Sequence, residues 1–244
     1  MTAGTIHIGT SGWHYKHWKG AFYPQDLKDA DQLGFYTQQF NTVEINNSYY
    51  RVPSEATFQK WQATVPDNFL FAVKANRYLT HLKKLQDVRQ TAADFIQRAS
   101  RLGKKLGPVL FQLPPNWNIN TETLANFMDA LPAGHRYAFE FRNASWYDDH
   151  VYQILHDHNC AFCIYQLAGH LSPLQLTADF VYVRLHGPGG KYQGSYTEAA
   201  LAEWAEHAQS WQQSGKTVFF YFDNDQQAHA VANAKTLIAM TSVK

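Results

Sequence analysis

The sequence predicts an α/β fold, a TIM-type (β/α)8 barrel of parallel strands, on three observations. Eight short runs rich in β-branched and aromatic residues recur along the chain, helical patterns separate them, and the length of 244 residues suits such a barrel. Alternation of this kind implies right-handed crossovers and a parallel sheet. Eight strands in so short a chain favour closure over an open, doubly wound sheet. One domain, residues 1–244, accounts for the pattern, since no linker, internal repeat or low-complexity tract interrupts it.

The eight runs are Thr5–Gly9, Thr42–Asn46, Leu70–Ala75, Pro108–Leu113, Tyr137–Arg142, Ala161–Tyr165, Phe180–His186 and Thr217–Phe222. Between them, Ser54 is placed to cap an amphipathic helix through Phe58 and Trp61. Asp87 precedes a helical pattern over Val88–Leu102 that stops at Gly103. Thr197 opens a helix whose Leu201, Trp204, Ala205, Ala208 and Trp211 form one apolar stripe, with Gly215 past its end. Such stripes are read as core. The sixth crossover, Gln166–Asp179, holds Gly169, Ser172 and Pro173, so its helix is expected to be short or missing. The connection Thr10–Ala30 is long, but Trp13, Tyr15, Trp18, Phe22 and Tyr23 make it too aromatic for disorder.

Composition removes several classes of function. A formal charge of +1 does not suggest a nucleic-acid coat or a membrane-surface protein. No run approaches the ~18 apolar residues of a membrane span, and the opening Met1-Thr-Ala-Gly-Thr-Ile-His7 lacks the basic and apolar regions of a secretory signal. Two cysteines cannot form a disulfide framework. The expectation is a cytoplasmic protein with no membrane partner.

Polar residues gather at the C-terminal ends of the runs, where barrels of this type place their sites. The second run offers Glu44 and Asn46, the third Lys74, the fourth Gln112, and the fifth Glu140 and Arg142. The seventh adds Arg184 and His186, and the eighth leads to Asp223 and Asn224. Within the seventh run, alternation sets Tyr182, Arg184 and His186 opposite the valines and Leu185. Three carboxylates face three cations, with His186 beside them. That balance permits charge-paired burial and suits Arg142 and Arg184 to a substrate carboxylate or phosphate. Gly187-Pro-Gly-Gly190 and Lys191 follow directly, and such a loop supplies backbone amides for an anion. The same glycines would equally shape a plain tight turn.

Other signals carry less. Cys160 and Cys163 form a C-x-x-C pair that enters a strand instead of a helix, so the two thiols face opposite sides and a redox site is not read here. Gly9-Thr-Ser-Gly12 lacks the spacing of a nucleophile elbow. His81, Lys83 and Lys84 read as a charged loop that the third run could bring over the pocket.

Several blocks together resemble the YecE-like family. They begin with Ile8-Gly-Thr-Ser-Gly-Trp13, Trp18-Lys-Gly20 and Phe22-Tyr-Pro24, and continue through Phe40-Asn-Thr-Val-Glu-Ile-Asn46 and Tyr50-Arg-Val-Pro53. Phe71-Ala-Val-Lys74, Gly107-Pro-Val-Leu-Phe-Gln-Leu-Pro-Pro115, Phe139-Glu-Phe-Arg142 and the stretch Ala178–Gly190 follow in order, then the Asn233-Ala pair. Where the family has Tyr-Phe-Asn-Asn, this chain has Tyr221-Phe-Asp-Asn224, which leaves Asp223 a carboxylate in place of an amide. The resemblance implies a TIM-type barrel. It implies no particular reaction, and a likeness of fold to sugar isomerases says little about chemistry.

The leading functional expectation is an enzyme, a hydrolase or isomerase, acting on a small polar or anionic molecule such as a phosphosugar or nucleotide derivative. Glu44 and Glu140 are the acid/base candidates, with Lys74 or His186 sharing proton transfer. Arg142 and Arg184, with Gly189, Gly190 and Lys191, would hold the anion; Trp13 and Tyr49 would stack on a ring; Asn46, Gln112, Asp223 and Asn224 would complete binding. No cofactor is required by this reading. A rival is divalent-metal chemistry on Glu44, Glu140, His186 and Asp223, and a third is a non-catalytic ligand or nucleic-acid binder using the same mouth.

Overall fold

Eight parallel strands form a nearly closed barrel, and the spacing of small and large interior residues explains how it fills. The structure, a computed structural model, describes residues 3–242. Its strands are β1 (Ile6–Thr10), β2 (Thr42–Ile45), β3 (Leu70–Lys74), β4 (Leu106–Leu113), β5 (Tyr137–Phe141), β6 (Ala161–Leu167), β8 (Phe180–Leu185) and β9 (Thr217–Phe222), with a two-residue β7 (His170–Leu171) outside the barrel wall. The order around the wall is β1-β9-β8-β6-β5-β4-β3-β2, and β7 pairs only with β6. Inside, Ala72, Ala138 and Ala161 leave room for Phe180, Tyr182, Phe219 and Tyr221. A second, larger apolar layer lies between the strands and the helices. There Val181, Val183 and Leu185 point away from Tyr182, Arg184 and His186, as alternation requires.

The helices form where their caps and stripes place them. Ser54 Oγ accepts from Thr57 N at the start of α2 (Glu55–Thr64), and Thr197 Oγ1 accepts from Ala200 N at the start of α6 (Glu198–Gln213). The whole stripe from Leu201 to Trp211 is buried, and Gly215 has a φ of 88°. The third crossover differs from expectation. Asp87 does not cap it; Asp87 itself has a φ of 53°, α3 runs over Arg89–Ala99, and a 3-10 segment, Ser100–Lys105, bends at Gly103.

The sixth crossover has no helix. β6 runs two residues beyond the expected Tyr165, turns at Ala168-Gly169, both at positive φ, and returns as β7. Side chains of the following segment then pair the exposed backbone of β6. Ser172 Oγ accepts from Tyr165 N at 2.9 Å, while Thr177 Oγ1 accepts from Phe162 N and donates to Cys160 O. The aromatic connection after β1 is likewise fixed, through Trp18 Nε1 to Asp225 O and Tyr23 Oη to Trp13 O.

The seam between β1 and β2 closes the barrel with one isolated bridge, Ser11 to Glu44, and the bond Gly12 N to Glu44 O at 2.8 Å. Below it the two strands touch too closely for a side chain: a Cβ on Gly9 would lie 2.2 Å from Thr42 O. Tyr36, from α1 (Gln32–Tyr36), reaches into this gap. Its hydroxyl accepts from Thr10 N at 2.9 Å and donates to Thr42 O at 3.2 Å, taking the place of ladder bonds. Tyr36→Phe therefore leaves a buried donor and acceptor unpaired. The expected loss is about 1–3 kcal/mol, read as a lower urea midpoint with an unchanged slope. An unmoved midpoint would mean that the seam does not depend on this hydroxyl.

Candidate active site at the barrel mouth

Arg184, on β8, is fully buried and lies at the centre of the interior polar residues. Its Nε and Nη2 meet the two oxygens of Glu44 at 3.0 and 2.8 Å, a forked pairing. Nη1 reaches Glu140 Oε2 at 2.7 Å, and Nη2 also reaches Asp223 Oδ2 at 3.1 Å. One guanidinium thus joins carboxylates from β2, β5 and the end of β9. Glu44 accepts further bonds from Ser11 Oγ and from Tyr182 Oη, the latter at 2.7 Å. Cys163 Sγ lies 3.9 Å from Glu140 Oε2, and burial pushes its thiol well up. Both cysteines are free and buried.

Glu140 is shared. Arg142 Nε donates to its other oxygen, Oε1. Burial raises the Glu140 pKa, but Arg142, then Arg184, His186 and Lys74, outweigh it and hold the carboxyl well below its ordinary value. Arg142 Nη2 lies 3.0 Å from His186 Nε2, and its guanidinium carbon sits 4.6 Å from the centre of the Tyr165 ring. Guanidinium groups only donate, so Nε2 of His186 accepts and the ring proton is on Nδ1. Nδ1 faces Asp223 Oδ2 at 2.9 Å, a close polar contact that is out of line for a well-formed hydrogen bond. Burial, then the neighbouring Arg184, lowers the His186 pKa, which keeps the ring neutral at pH 7.

Lys74 is different. It ends β3 with 7% exposure, and among the described residues it enters no ion pair. Its Nζ lies over the Tyr49 ring, 4.6 Å from the centre. Burial lowers its pKa to about 8, aided by Arg184 and opposed by Glu140, Glu44 and Asp223. Tyr49 is positioned by Asn76, whose Nδ2 donates to the carbonyls of Ser48 and Tyr49. His81 meets the same Tyr49 ring edge-to-face at 5.1 Å, and burial together with Lys74 lowers its pKa to about 4.

The structure corrects several sequence-based roles. Glu44 and Glu140 have no solvent exposure, and their oxygens are occupied by arginines and hydroxyls. Neither is disposed to exchange protons with a ligand, and they act as partners of Arg184. Arg184, expected to clamp an anion, has every nitrogen turned to a carboxylate. Trp13 does not present a stacking face at the mouth centre; it is 8% exposed and packs against Trp61 and Phe71. Asn224 is fully buried and structural: Nδ2 donates to Gly194 O and to Asn233 Oδ1. It fastens the 187–196 loop, as does Tyr196, whose hydroxyl accepts from Gly187 N and whose N donates to Asn233. Gly189, Gly190 and Lys191 lie exposed on that loop, and Tyr192 is the residue it turns onto His186, with ring centres 5.5 Å apart. Glu198 in the first turn of α6 further disfavours an anion at that helix start. Asp223 is spent on Arg184 and His186. Asn46, Tyr49, Gln112 and Arg142 remain at the mouth, all partly accessible.

For the metal rival, Glu44, Glu140, His186 and Asp223 surround a guanidinium. Among the described residues no group of three or more His, Cys, Asp or Glu side chains is arranged to hold a metal ion. Sequence reasoning missed Tyr15, Tyr147, Tyr165, His170 and Tyr192. Tyr15 Oη donates to Ser11 O at 2.6 Å, and Tyr147 Oη lies within 3.1 Å of Tyr165 Oη and 2.9 Å of His170 Nε2. Tyr165 was findable, because it shares the interior parity of Cys163 and pairs in register with Arg184.

The chain matches the family described as "Protein of unknown function DUF72" over residues 7–244. It belongs to that family. A curated DUF72 relative, the UPF0759 protein YunF of Bacillus subtilis, is 27% identical, the match covering 98% of this chain and 95% of YunF. The crystal structure of a DUF72 family protein from Thermotoga maritima superposes with a TM-score of 0.89 at 27% identity, covering 98% of this chain and all of that one. A glycoside hydrolase family 5 enzyme from Prevotella bryantii shares the fold alone, with a TM-score of 0.51 at 13% identity, covering 98% and 95% of the two chains. Among the described residues, no helix of this DUF72 chain is long and apolar enough to cross a membrane.

Two pH dependences follow from these charges. Glu140 and Asp223 have folded pKa values below their ordinary 4.5 and 3.8, so the unfolded chain takes up protons first as pH falls. Their stabilisation is full above about pH 4.5 and is lost as pH drops through the lower folded values. Urea midpoints are expected to fall steeply below pH 4.5 in the wild type and less steeply in Glu140→Gln; parallel profiles would refute the assignment. Lys74 has the opposite consequence. Its folded pKa of about 8 lies below the ordinary 10.5, so it destabilises the fold below pH 8 and ceases to do so near 10.5. Lys74→Met should therefore gain on the order of 1–3 kcal/mol at pH 7, a gain that disappears by pH 10.5.

Proposed function

We propose that this protein is an enzyme that binds a small anionic molecule at the C-terminal barrel mouth and acts on it through Lys74. The observation that carries this reading is a lysine at the mouth that is 7% exposed and, among the described residues, has no carboxylate partner, beside three carboxylates that serve Arg184 and Arg142 instead. Such a group costs stability, and its neighbours tune it to a pKa of about 8, near the working range of a proton-transfer or nucleophilic group.

Arg142 supplies the anion contact. Nε is committed to Glu140 and Nη2 to His186, which leaves Nη1 without a hydrogen-bond partner among the described residues. Tyr165 backs the guanidinium, and the Glu140–His186 pairing fixes its plane. Tyr49, Tyr192 and Gln112 supply a ring face and neutral hydrogen-bonding groups around it. The acid/base role moves from the carboxylates, expected on sequence, to Lys74.

The test is a thermal-shift titration with inorganic phosphate and with small mono- and dicarboxylates. Wild type should gain several degrees at millimolar anion, and Arg142→Ala should lose most of that gain while keeping its circular dichroism spectrum. Equal shifts for both proteins, or equal shifts with uncharged polyols, would overturn the anion reading.

A further inference from the structure

The mouth carries a more specific chemistry than proton transfer. Lys74 is the last residue of β3, so its backbone is held by a strand and not by a loop. Its nitrogen lies on the Tyr49 ring face, and among the described residues neither a carboxylate nor a carbonyl occupies its donors. Arg184 is a positive neighbour that lowers the Lys74 pKa, and Arg142 acts in the same way on Tyr49 and His81. A desolvated amine next to a second cation is the arrangement that makes a lysine a nucleophile at neutral pH.

We propose that Lys74 forms a reversible imine with a small carbonyl compound that also carries a carboxylate or phosphate, the anionic group being held by Arg142 Nη1. This rests on the anion site proposed above and names the substrate class for it. The lone pair of the neutral amine adds to the carbonyl carbon, and the C–O π pair moves to oxygen. A proton passes from nitrogen to that oxygen and gives a carbinolamine. The remaining nitrogen proton then leaves with the hydroxyl as water, and the C=N bond forms. Addition of water reverses each step, so no oxidant or reductant is consumed.

The proton carrier in this proposal is His81. It touches the same Tyr49 ring as Lys74, its Nδ1 is engaged by Thr80 Oγ1 at 2.9 Å, and burial keeps it neutral at pH 7. Neutral imidazole accepts at one nitrogen and donates from the other. The carboxylates nearest the amine, Glu140, Glu44 and Asp223, are bound to arginines and do not compete for it.

The experiment is reductive trapping. Wild-type protein is incubated with pyruvate, with glyceraldehyde 3-phosphate or with neutral propanal, then treated with sodium cyanoborohydride and examined by intact mass and peptide mapping. The expected result is one adduct, on the peptide containing Lys74, formed at least tenfold faster with one of the two anionic carbonyls than with propanal. It should be suppressed by excess inorganic phosphate and absent in a folded Lys74→Arg variant. Preference between pyruvate and glyceraldehyde 3-phosphate tells carboxylate from phosphate as the anchor. Labelling spread over surface lysines, or no Lys74 adduct while phosphate still raises the melting temperature of wild type but not of Arg142→Ala, overturns the imine and leaves the anion site standing. Loss of both signals overturns the two together.

Discussion

A single buried guanidinium organises this barrel. Arg184 draws one carboxylate from β2, one from β5 and one from the end of β9, and each of these would be costly to bury alone. Removing one member of such a cluster costs about 3–5 kcal/mol, whereas replacing the whole with apolar groups is often neutral. The cluster is therefore not needed to make the fold stable in general. What it does is fix three strand ends relative to one another and neutralise negative charge in the depth of the mouth. Arg142 and Lys74, neither of them bound to Arg184, keep slight exposure beside it.

That pairing explains why the charge count in the sequence found the interior cluster but not which acid meets which base. Alternation along each run was enough to predict which residues face the interior, and the positions of Glu44, Lys74, Glu140, Arg142, Arg184 and His186 follow from it. Alternation says nothing about height along the barrel axis or about which acid meets which base. Strand register sets Arg184 against Tyr165 and Tyr221, which no pattern within a single run reveals. Asn224 and Trp13 illustrate the same limit: each sits at the expected end of a strand, and each turns to hold a loop or pack a helix.

The connections show the converse. The cap residues Ser54 and Thr197 and the missing sixth helix were legible because they depend on local chemistry. The hairpin at Ala168-Gly169 was not, since Ala at a positive φ is unusual and gives no signal in the sequence. Its effect reaches the barrel mouth, because β7 brings His170 against Tyr147, whose hydroxyl meets that of Tyr165 beneath Arg142. Tyr36 is similar. No pattern in α1 reveals that its hydroxyl would replace backbone bonds at the seam.

The seam has a consequence for how the molecule is assembled. β1 finds its full ladder only with β9, from the other end of the chain, while its contact with β2 is a single bridge and a borrowed hydroxyl. A nascent chain that has made the first eight strands lacks the ladder partner of β1 and the aspartate of the Arg184 cluster. Contacts of such long sequence separation are slow to form. Wall closure and the pairing of Asp223 with Arg184 therefore both wait for the last strand.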